Sequence, residues 1–246
     1  SGGLYNWFDP LSLIRAVAQL STRHDNVRLF FQGTKHPHPG VPEMAIVRRS
    51  RELAVELGVL DTAVFFNDSW VDYADRQNYL TEADAGVSAH FSHVETTFSF
   101  RTRILDYLWA ELPMVVTEGD HFAELVQRES LGVVVPAGNV DALADALERV
   151  LFDTEFAEDA RRNIRRVREE YVWANTLRPL VEFMKKPTHA ADHHQLEARL
   201  RAAAARGRRQ GRRSGLAHDA RRALYYLRTA GPSAVMRKIN RRLRSR

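Results

Sequence analysis

Short apolar runs alternate with helical segments along the first 186 residues, and this alternation is the feature that most constrains the fold. Strand-like runs cover residues 27–33, 63–68, 85–91, 114–117 and 131–136. Several of these runs are apolar almost throughout, which is typical of parallel strands that are covered on both faces. We therefore predict an α/β domain with a doubly wound parallel sheet and helices on both faces.

The predicted helices carry ordinary start and stop signals. Asp9 and Pro10 precede the periodic segment 11–20, and Gly58 follows the periodic segment 43–57. The remaining helices are predicted at residues 74–84, 99–111, 120–129, 139–152, 155–170 and 173–184. Because ligands bind such sheets outside the carboxyl ends of the strands, we expect the binding crevice at that edge.

The charge divides the chain into two parts. Residues 187–246 carry 16 Lys and Arg against three acidic residues, a net charge of +13, whereas residues 1–186 carry 20 against 28, a net of −8. We predict a Rossmann-like domain over residues 1–186 and a basic, Arg-rich tail over residues 187–246. The tail contains two short amphipathic candidates, at 216–228 and 233–244. The sequence has no cysteine, which excludes disulfides and thiolate chemistry.

The first residues contain a glycine turn, Gly2-Gly3, without a strand ahead of it. A glycine turn of this kind normally follows the first strand of a doubly wound sheet, so we expect the chain to be the C-terminal portion of a longer protein. There is neither a basic-then-apolar leader nor an apolar run long enough to cross a bilayer. We expect a cytoplasmic location.

Two acids and two arginines crowd the stretch from His93 to Asp120, where a strand leads into a helix. Ser99 is predicted to cap that helix, which would put Arg101 and Arg103 in its first turn. The helix dipole disfavours cations there, so paired arginines indicate a bound anion such as a diphosphate. The alternative is that these arginines form surface ion pairs with Asp106 or Glu111.

The segment DYLWAELPMVVT resembles the retaining GT-B glycosyltransferases of the family-four type. Asp106 stands seven residues before Pro113, where that family has the second of two acids, and Glu95 resembles the first. Ten residues separate the two acids, against the family's seven. Asp also replaces Glu, and the turn lacks the family's glycine. The pattern is nearer to a branch with ETxFSFRTRxLDYLWAxLP and an opening GGxxxWFDPxxLIxA.

This resemblance implies a C-terminal donor-binding domain whose substrate is a nucleoside-diphosphate sugar, with no further cofactor. Glu95 would contact the transferred sugar, Asp106 the ribose, and Gly2 and Gly3 the donor phosphates. Arg101 and Arg103 would stabilise the leaving diphosphate in place of the family's usual basic residues. The acceptor, a glycan or a lipid-linked molecule, would bind a missing N-terminal domain, so we expect little transfer by this chain alone.

Other loops at the rim of the predicted sheet, that is, at the carboxyl ends of its strands, contain further candidates for donor binding. Lys35 could reach a phosphate, while His36 and His38 are expected to be structural, because no third metal ligand is evident. Trp70 or Tyr73 could stack on the nucleotide base or lie in the core.

The stretch after residues 114–117 adds Glu118 and Gly119, whose backbone amides could also meet the donor. An acidic helix cap at Glu118 to Asp120 explains that stretch equally well.

The basic tail has three possible partners: an anionic membrane, nucleic acid or solvent. Basic amphipathic helices suit anionic headgroups, and no nucleic-acid-binding module is recognisable. We expect peripheral association with the inner membrane face, in surface polysaccharide biosynthesis. Two alternatives to a glycosyltransferase stay open, namely a sugar-nucleotide epimerase of similar fold and a non-catalytic nucleotide- or membrane-binding module.

Overall fold

The computed structural model describes residues 3–38, 40–203 and 224, and the chain divides into two compact units, Ser1–Arg178 and Pro179–Arg246. Within the described residues, the first unit has five strands: β1 (Leu29–Phe31), β2 (Val64–Phe66), β3 (Gly86–Ser88), β4 (Met114–Thr117) and β5 (Gly132–Val135). Its helices are α1 (Pro10–Ser21), α2 (Ala45–Glu56), α3 (Arg76–Thr81), α4 (Val94–Phe98), α5 (Arg103–Trp109), α6 (His121–Arg128), α7 (Val140–Phe152), α8 (Thr154–Arg168) and α9 (Trp173–Thr176).

All the described strand pairs are parallel, and they form two sheets. β1 pairs with β2, and β4 lies between β3 and β5. Parallel strands joined by helices require crossover connections, which place helices on the sheet faces. The prediction of an α/β fold with parallel strands and flanking helices is confirmed, and each of the five described strands falls within a predicted run.

Buried side chains form two separate clusters, one contributed mainly by α1, α2 and α7 and the other by α5, α6 and α8. β4 shows how the sheet divides them. Its Val115 is fully buried in the first cluster, whereas Met114 and Val116 are buried in the second. Successive side chains of a strand point to opposite faces, so β4 packs against both layers of helices. This explains why its four residues are all apolar or buried.

The predicted helix at 99–111 is wrong at its start. Ser99 has an extended backbone and ends α4, a helix that the sequence pattern did not indicate, whereas α5 begins at Arg103 after Thr102. The Thr96 hydroxyl donates to the Phe91 carbonyl at 2.6 Å and ties the short α4 to the preceding loop. Arg101 therefore lies ahead of α5 and not in its first turn.

The predicted helix at 173–184 is interrupted. α9 ends at Thr176, and α10 (Arg178–Lys185) follows after one residue. Proline lacks a backbone N–H and its ring clashes with the carbonyl four residues earlier, here that of Asn175, so Pro179 accounts for the break.

In the second unit, most of α10 and residues 193–203 are helical. The predicted tail helices at 216–228 and 233–244 lie outside the described residues, apart from Leu224. The predicted domain boundary after residue 186 stays a prediction. None of the helices in the described ranges is both long and apolar enough to cross a bilayer.

Gly86 of β3 offers a test of how tightly α5 packs on the sheet. A Cβ atom at this position would lie 2.5 Å from Cγ of the buried Tyr107 ring. We predict that Gly86→Ala lowers the free energy of unfolding by about 1–3 kcal/mol, since overpacking a core costs that much. Urea denaturation monitored by circular dichroism measures the change.

Gly40→Ala is the matched control. Its Cβ would meet only the ring of the exposed His38, which can rotate away. Equal urea midpoints for Gly86→Ala and Gly40→Ala would contradict the packing described here.

Candidate functional site

The candidate site lies at the carboxyl ends of β3 and β4, as the fold class predicts. The loop after β3 carries His90 and the loop after β4 carries Asp120. The His90 backbone N–H donates to the Thr117 hydroxyl oxygen at 3.1 Å, which ties the two loops together. His90, Thr117 and Asp120 are all buried.

Arg101 is the charge around which this edge is organised. Its side chain is only 4% exposed, and it donates two hydrogen bonds to the Glu95 carboxylate, at 2.9 and 2.7 Å. Its Nε lies 3.6 Å from Oδ2 of Asp120. A guanidinium in this forked geometry forms a strong, directional pair. Arg101 therefore joins a carboxylate at the start of α4 to a carboxylate at the start of α6.

Asp120 has three partners. One oxygen accepts the Ala123 backbone N–H at 2.8 Å and caps α6. The other oxygen lies 3.2 Å from Nε2 of His90 and close to Arg101. The acidic helix cap proposed from the sequence is thus present, and it also belongs to a buried ionic network.

The carboxylates in this network are stabilised as anions. Partial burial raises the pKa of Glu95, but the hydrogen bonds from Arg101 and Ser99 and the Arg101 charge outweigh it and leave that pKa below its ordinary value. Burial likewise raises the pKa of Asp120, but the hydrogen bonds from His90 and Ala123 and the nearby charges outweigh burial. The pKa of Asp120 is therefore below its ordinary value. Both acids stay charged at neutral pH.

Arg103 lies beside Gly3 and Phe8. Its guanidinium donates to the Gly3 carbonyl at 3.3 Å and sits 4.2 Å from the centre of the Phe8 ring. The Arg101 guanidinium is 5.3 Å from the same ring. Burial lowers the pKa of Arg103, and the neighbouring Arg101 charge lowers it too. Two guanidinium groups thus lie against one buried aromatic ring.

Asp106, on α5, forms an ion pair with Arg76, at the start of α3. Glu111 pairs with Arg165 and Arg168 of α8, at 2.7 Å each. The alternative that Glu111 pairs with one of the two rim arginines is therefore not what the structure shows.

The remaining predicted donor contacts are spread along the rim. Gly2 lies outside the described residues, whereas Gly3 forms a parallel bridge to Gly33. Glu118 and Gly119 are exposed between β4 and α6, and Gly119 has a φ of +110° that favours glycine. Lys35 is exposed in the loop after β1. The structure brings Glu95, Arg101 and Arg103 into one neighbourhood, and their roles toward a donor stay predictions.

The histidines and aromatics of the outer loops have local partners. Nδ1 of His36 accepts the His38 backbone N–H at 3.0 Å, and Nδ1 of His38 accepts the Gly40 N–H at 3.1 Å. Each histidine ring thus accepts a backbone N–H two residues further on and stabilises the local turn. Trp70 is 56% exposed and Tyr73 is 85% exposed, so neither belongs to the core.

No group of three His, Cys, Asp or Glu side chains that could hold a metal ion occurs within the described residues. The sequence reading missed the roles of His90 and Asp120. For Asp120 the sequence did contain a signal, because an acidic residue that follows a strand and precedes a helix is typical of a helix cap. His90 precedes Asp120 by 30 residues, and their contact depends on strand pairing that one sequence does not reveal.

The chain is similar to known proteins in sequence and in fold. Residues 2–153 match the family model described as Glycosyl transferases group 1, and the chain belongs to this family. The fold is that of the C-terminal domain of GT-B glycosyltransferases, as the resemblance implied. No curated protein sequence matches the chain.

Three solved structures illustrate the similarity. WaaG, a glycosyltransferase of lipopolysaccharide biosynthesis, has 20% identity and a TM-score of 0.57, and the match covers 76% of this chain and 46% of WaaG. HepE of Anabaena, in complex with UDP and glucose, has 16% identity and a TM-score of 0.62, with coverages of 76% and 47%. The C-terminal domain of the group 1 protein LpcC of Francisella tularensis has 14% identity and a TM-score of 0.58, with coverages of 70% and 84%. The chain spans about half the length of WaaG and HepE.

The lowered pKa of Asp120 predicts a pH effect on stability. A folded-state pKa below the ordinary 3.8 stabilises the fold above that pH, and the stabilisation is lost as pH falls through the folded value. We predict that Asp120→Asn, which keeps an oxygen to cap α6, unfolds more easily than the parent at neutral pH. The difference should shrink below pH 3.8.

Urea midpoints measured across this pH range follow the effect. The matched control is Asp153→Asn, because Asp153 caps α8 by the same kind of bond to Phe156 but is exposed. A stability difference for Asp120→Asn that does not change with pH would contradict the role given to its charge.

Proposed function

We propose that this chain is the donor-binding part of a glycosyltransferase, which transfers a sugar from a nucleoside-diphosphate sugar to a glycan or lipid-linked acceptor in surface polysaccharide biosynthesis. The observation that carries the proposal is the Arg101–Glu95 pair at the carboxyl edge of the sheet. Arg101 is buried and fixes Glu95, whose side chain is still 40% exposed. An ordered, charged carboxylate that remains partly open suits hydrogen bonding to sugar hydroxyls.

Arg103 is our candidate for the donor diphosphate. It is a partly desolvated cation next to Gly3, where the absence of a side chain allows a close approach to the backbone. Positive charge at this place would stabilise the leaving nucleoside diphosphate as the sugar gains oxocarbenium character. Arg101, which the sequence reading grouped with Arg103, is better suited to positioning Glu95, because two carboxylates already neutralise it.

Other groups of the rim complete the proposed donor site. Asp106, oriented by Arg76, would accept hydrogen bonds from the ribose. Lys35 and the amides near Glu118 and Gly119 would face the phosphates or the sugar. HepE has been solved with UDP and glucose, which makes uridine donors the first to test.

We predict that Arg103→Gln weakens binding of uridine diphosphate by about 10- to 100-fold. Loss of a hydrogen bond to a charged group costs about 1.5–3 kcal/mol, which corresponds to that range. Isothermal titration calorimetry measures the dissociation constant, after a thermal-shift screen of uridine, guanosine, thymidine and adenosine diphosphates has identified the preferred base.

Arg161→Gln is the matched control, because Arg161 pairs with Glu158 on the surface of α8. Glu95→Gln in the same assay should weaken binding of the sugar nucleotide more than binding of the diphosphate. Equal affinity of the parent, Arg103→Gln and Arg161→Gln for every nucleotide tested would refute the assignment of Arg103.

We also propose that the basic tail binds anionic membrane surfaces, where a lipid-linked acceptor would be found. Its net charge of +13 is the support, since each Lys or Arg near an anionic surface contributes about 1 kcal/mol. Sedimentation with liposomes should bring down the full chain when phosphatidylserine is present. A chain ending at Lys186 should stay in the supernatant. Equal sedimentation of both chains would contradict this role.

A further inference from the structure

Tyr5, Trp7 and Phe8 form an aromatic cluster beside the candidate site. The rings of Tyr5 and Trp7 are stacked, with centroids 4.8 Å apart and an angle of 5° between their planes. Phe8 lies against both, at centroid distances of 5.8 and 6.1 Å. Phe8 is buried, whereas Tyr5 and Trp7 are each 39% exposed. Adjacent aromatic side chains that stay open next to charged groups are typical of a ligand-binding surface.

The backbone holds Trp7 at the carboxyl edge of the sheet. The Phe91 N–H donates to the Trp7 carbonyl at 3.3 Å. The Asp9 N–H donates to the Ala89 carbonyl at 3.0 Å. Ala89 and Phe91 lie in the loop that follows β3 and continues to Glu95. Trp7 is therefore fixed to the loop that carries Glu95.

Phe8 connects this cluster to the two arginines of the site. Its ring centre lies 4.2 Å from the Arg103 guanidinium and 5.3 Å from that of Arg101. Arg101 in turn holds the Glu95 carboxylate by two hydrogen bonds. The indole of Trp7, the cation of Arg103 and the partly open carboxylate of Glu95 thus belong to one group of contacts around Phe8.

Stacking gives the Trp7 ring a fixed orientation. Tyr5 covers one face of the indole. Tyr5 itself is confined near Gly3, since a Cβ atom at Gly3 would lie 3.3 Å from the Tyr5 ring. A side chain that is held before a ligand arrives loses little conformational entropy on binding. The exposed surface of Trp7 is therefore prepared to pack against the apolar face of a ligand.

We propose that Trp7, supported by Tyr5, packs against the ring of the transferred sugar while Glu95 accepts hydrogen bonds from the hydroxyls of the same sugar. A sugar ring has hydroxyls along its edge and C–H groups on its faces, so an aromatic surface and a carboxylate can bind it together. The inference rests on the proposed donor-binding function, and it names the residue that recognises the sugar part of the donor.

The position of Trp7 favours the sugar over the nucleotide base. Trp7 is bonded to the loop of Glu95, the residue proposed for the sugar. Asp106, proposed for the ribose, is paired instead with Arg76 at the start of α3. Because the sugar and the base are at opposite ends of the donor, a side chain on the Glu95 loop meets the sugar end.

The test compares Trp7→Leu, which keeps an apolar side chain but removes the flat ring, with Trp7→Phe, which keeps a ring. Isothermal titration calorimetry measures two dissociation constants for each variant. The first is for whichever of the uridine, guanosine, thymidine and adenosine diphosphates binds the parent best. The second is for the tightest-binding ester of that diphosphate with glucose, galactose or mannose.

We expect Trp7→Leu to weaken binding of the sugar ester by about 3- to 10-fold, the range of a single aromatic contact, and to leave binding of the diphosphate unchanged. Trp7→Phe should recover part of the loss. Trp109→Leu is the matched control, because Trp109 is exposed at the end of α5, which leads to the amino end of β4 at the opposite edge of the sheet. It should change neither constant.

NMR of the parent gives an independent measurement that does not require Trp7→Leu to fold. The four tryptophans each give one indole N–H signal. The sugar ester should shift the Trp7 signal more than the diphosphate does, and it should leave the Trp109 signal in place.

An equal loss of affinity for the ester and for the diphosphate in Trp7→Leu would mean that the indole meets the nucleotide, contrary to the proposal. A Trp7 signal that responds no more to the ester than to the diphosphate would contradict it as well. If the parent binds none of the nucleotides, the proposed donor-binding function fails and this inference fails with it. If the parent and Trp7→Leu bind the ester equally well, this inference alone fails.

Discussion

The candidate site depends on one buried cation. Arg101 is enclosed between the Glu95 and Asp120 carboxylates, which belong to loops at the ends of different strands. Removing one partner from such an arrangement leaves an uncompensated buried charge, which costs about 3–5 kcal/mol. Arg101 thus links Glu95, at the start of α4, to Asp120, at the start of α6.

The two arginines differ in their ion-pair partners. Arg101 is paired with two carboxylates of the protein, whereas Arg103 donates to the Gly3 carbonyl and has no ion-pair partner within 4.0 Å among the described residues. Phe8 lies against both guanidinium groups.

Much of the fold could be predicted from the sequence, because parallel strands such as β4 are apolar on both faces and are followed by periodic helices. The break at Ser99 could not, since a short helix such as α4 is fixed by contacts of Thr96 and Arg101 and not by propensity. The neighbourhood of Glu95, Arg101 and Arg103 was predicted from their closeness in sequence. The participation of His90 and Asp120 was not, because it depends on strands β3 and β4 lying side by side.

A double-mutant cycle measures how strongly Arg101 and Glu95 are coupled in the folded protein. The free energy of unfolding is measured for the parent, Arg101→Met, Glu95→Met and the double variant. We predict that the sum of the two single losses exceeds the loss in the double variant by about 1 kcal/mol or more, which is typical of contacting charged groups. Additive losses, within about 0.3 kcal/mol, would mean that Arg101 does not hold Glu95 in solution.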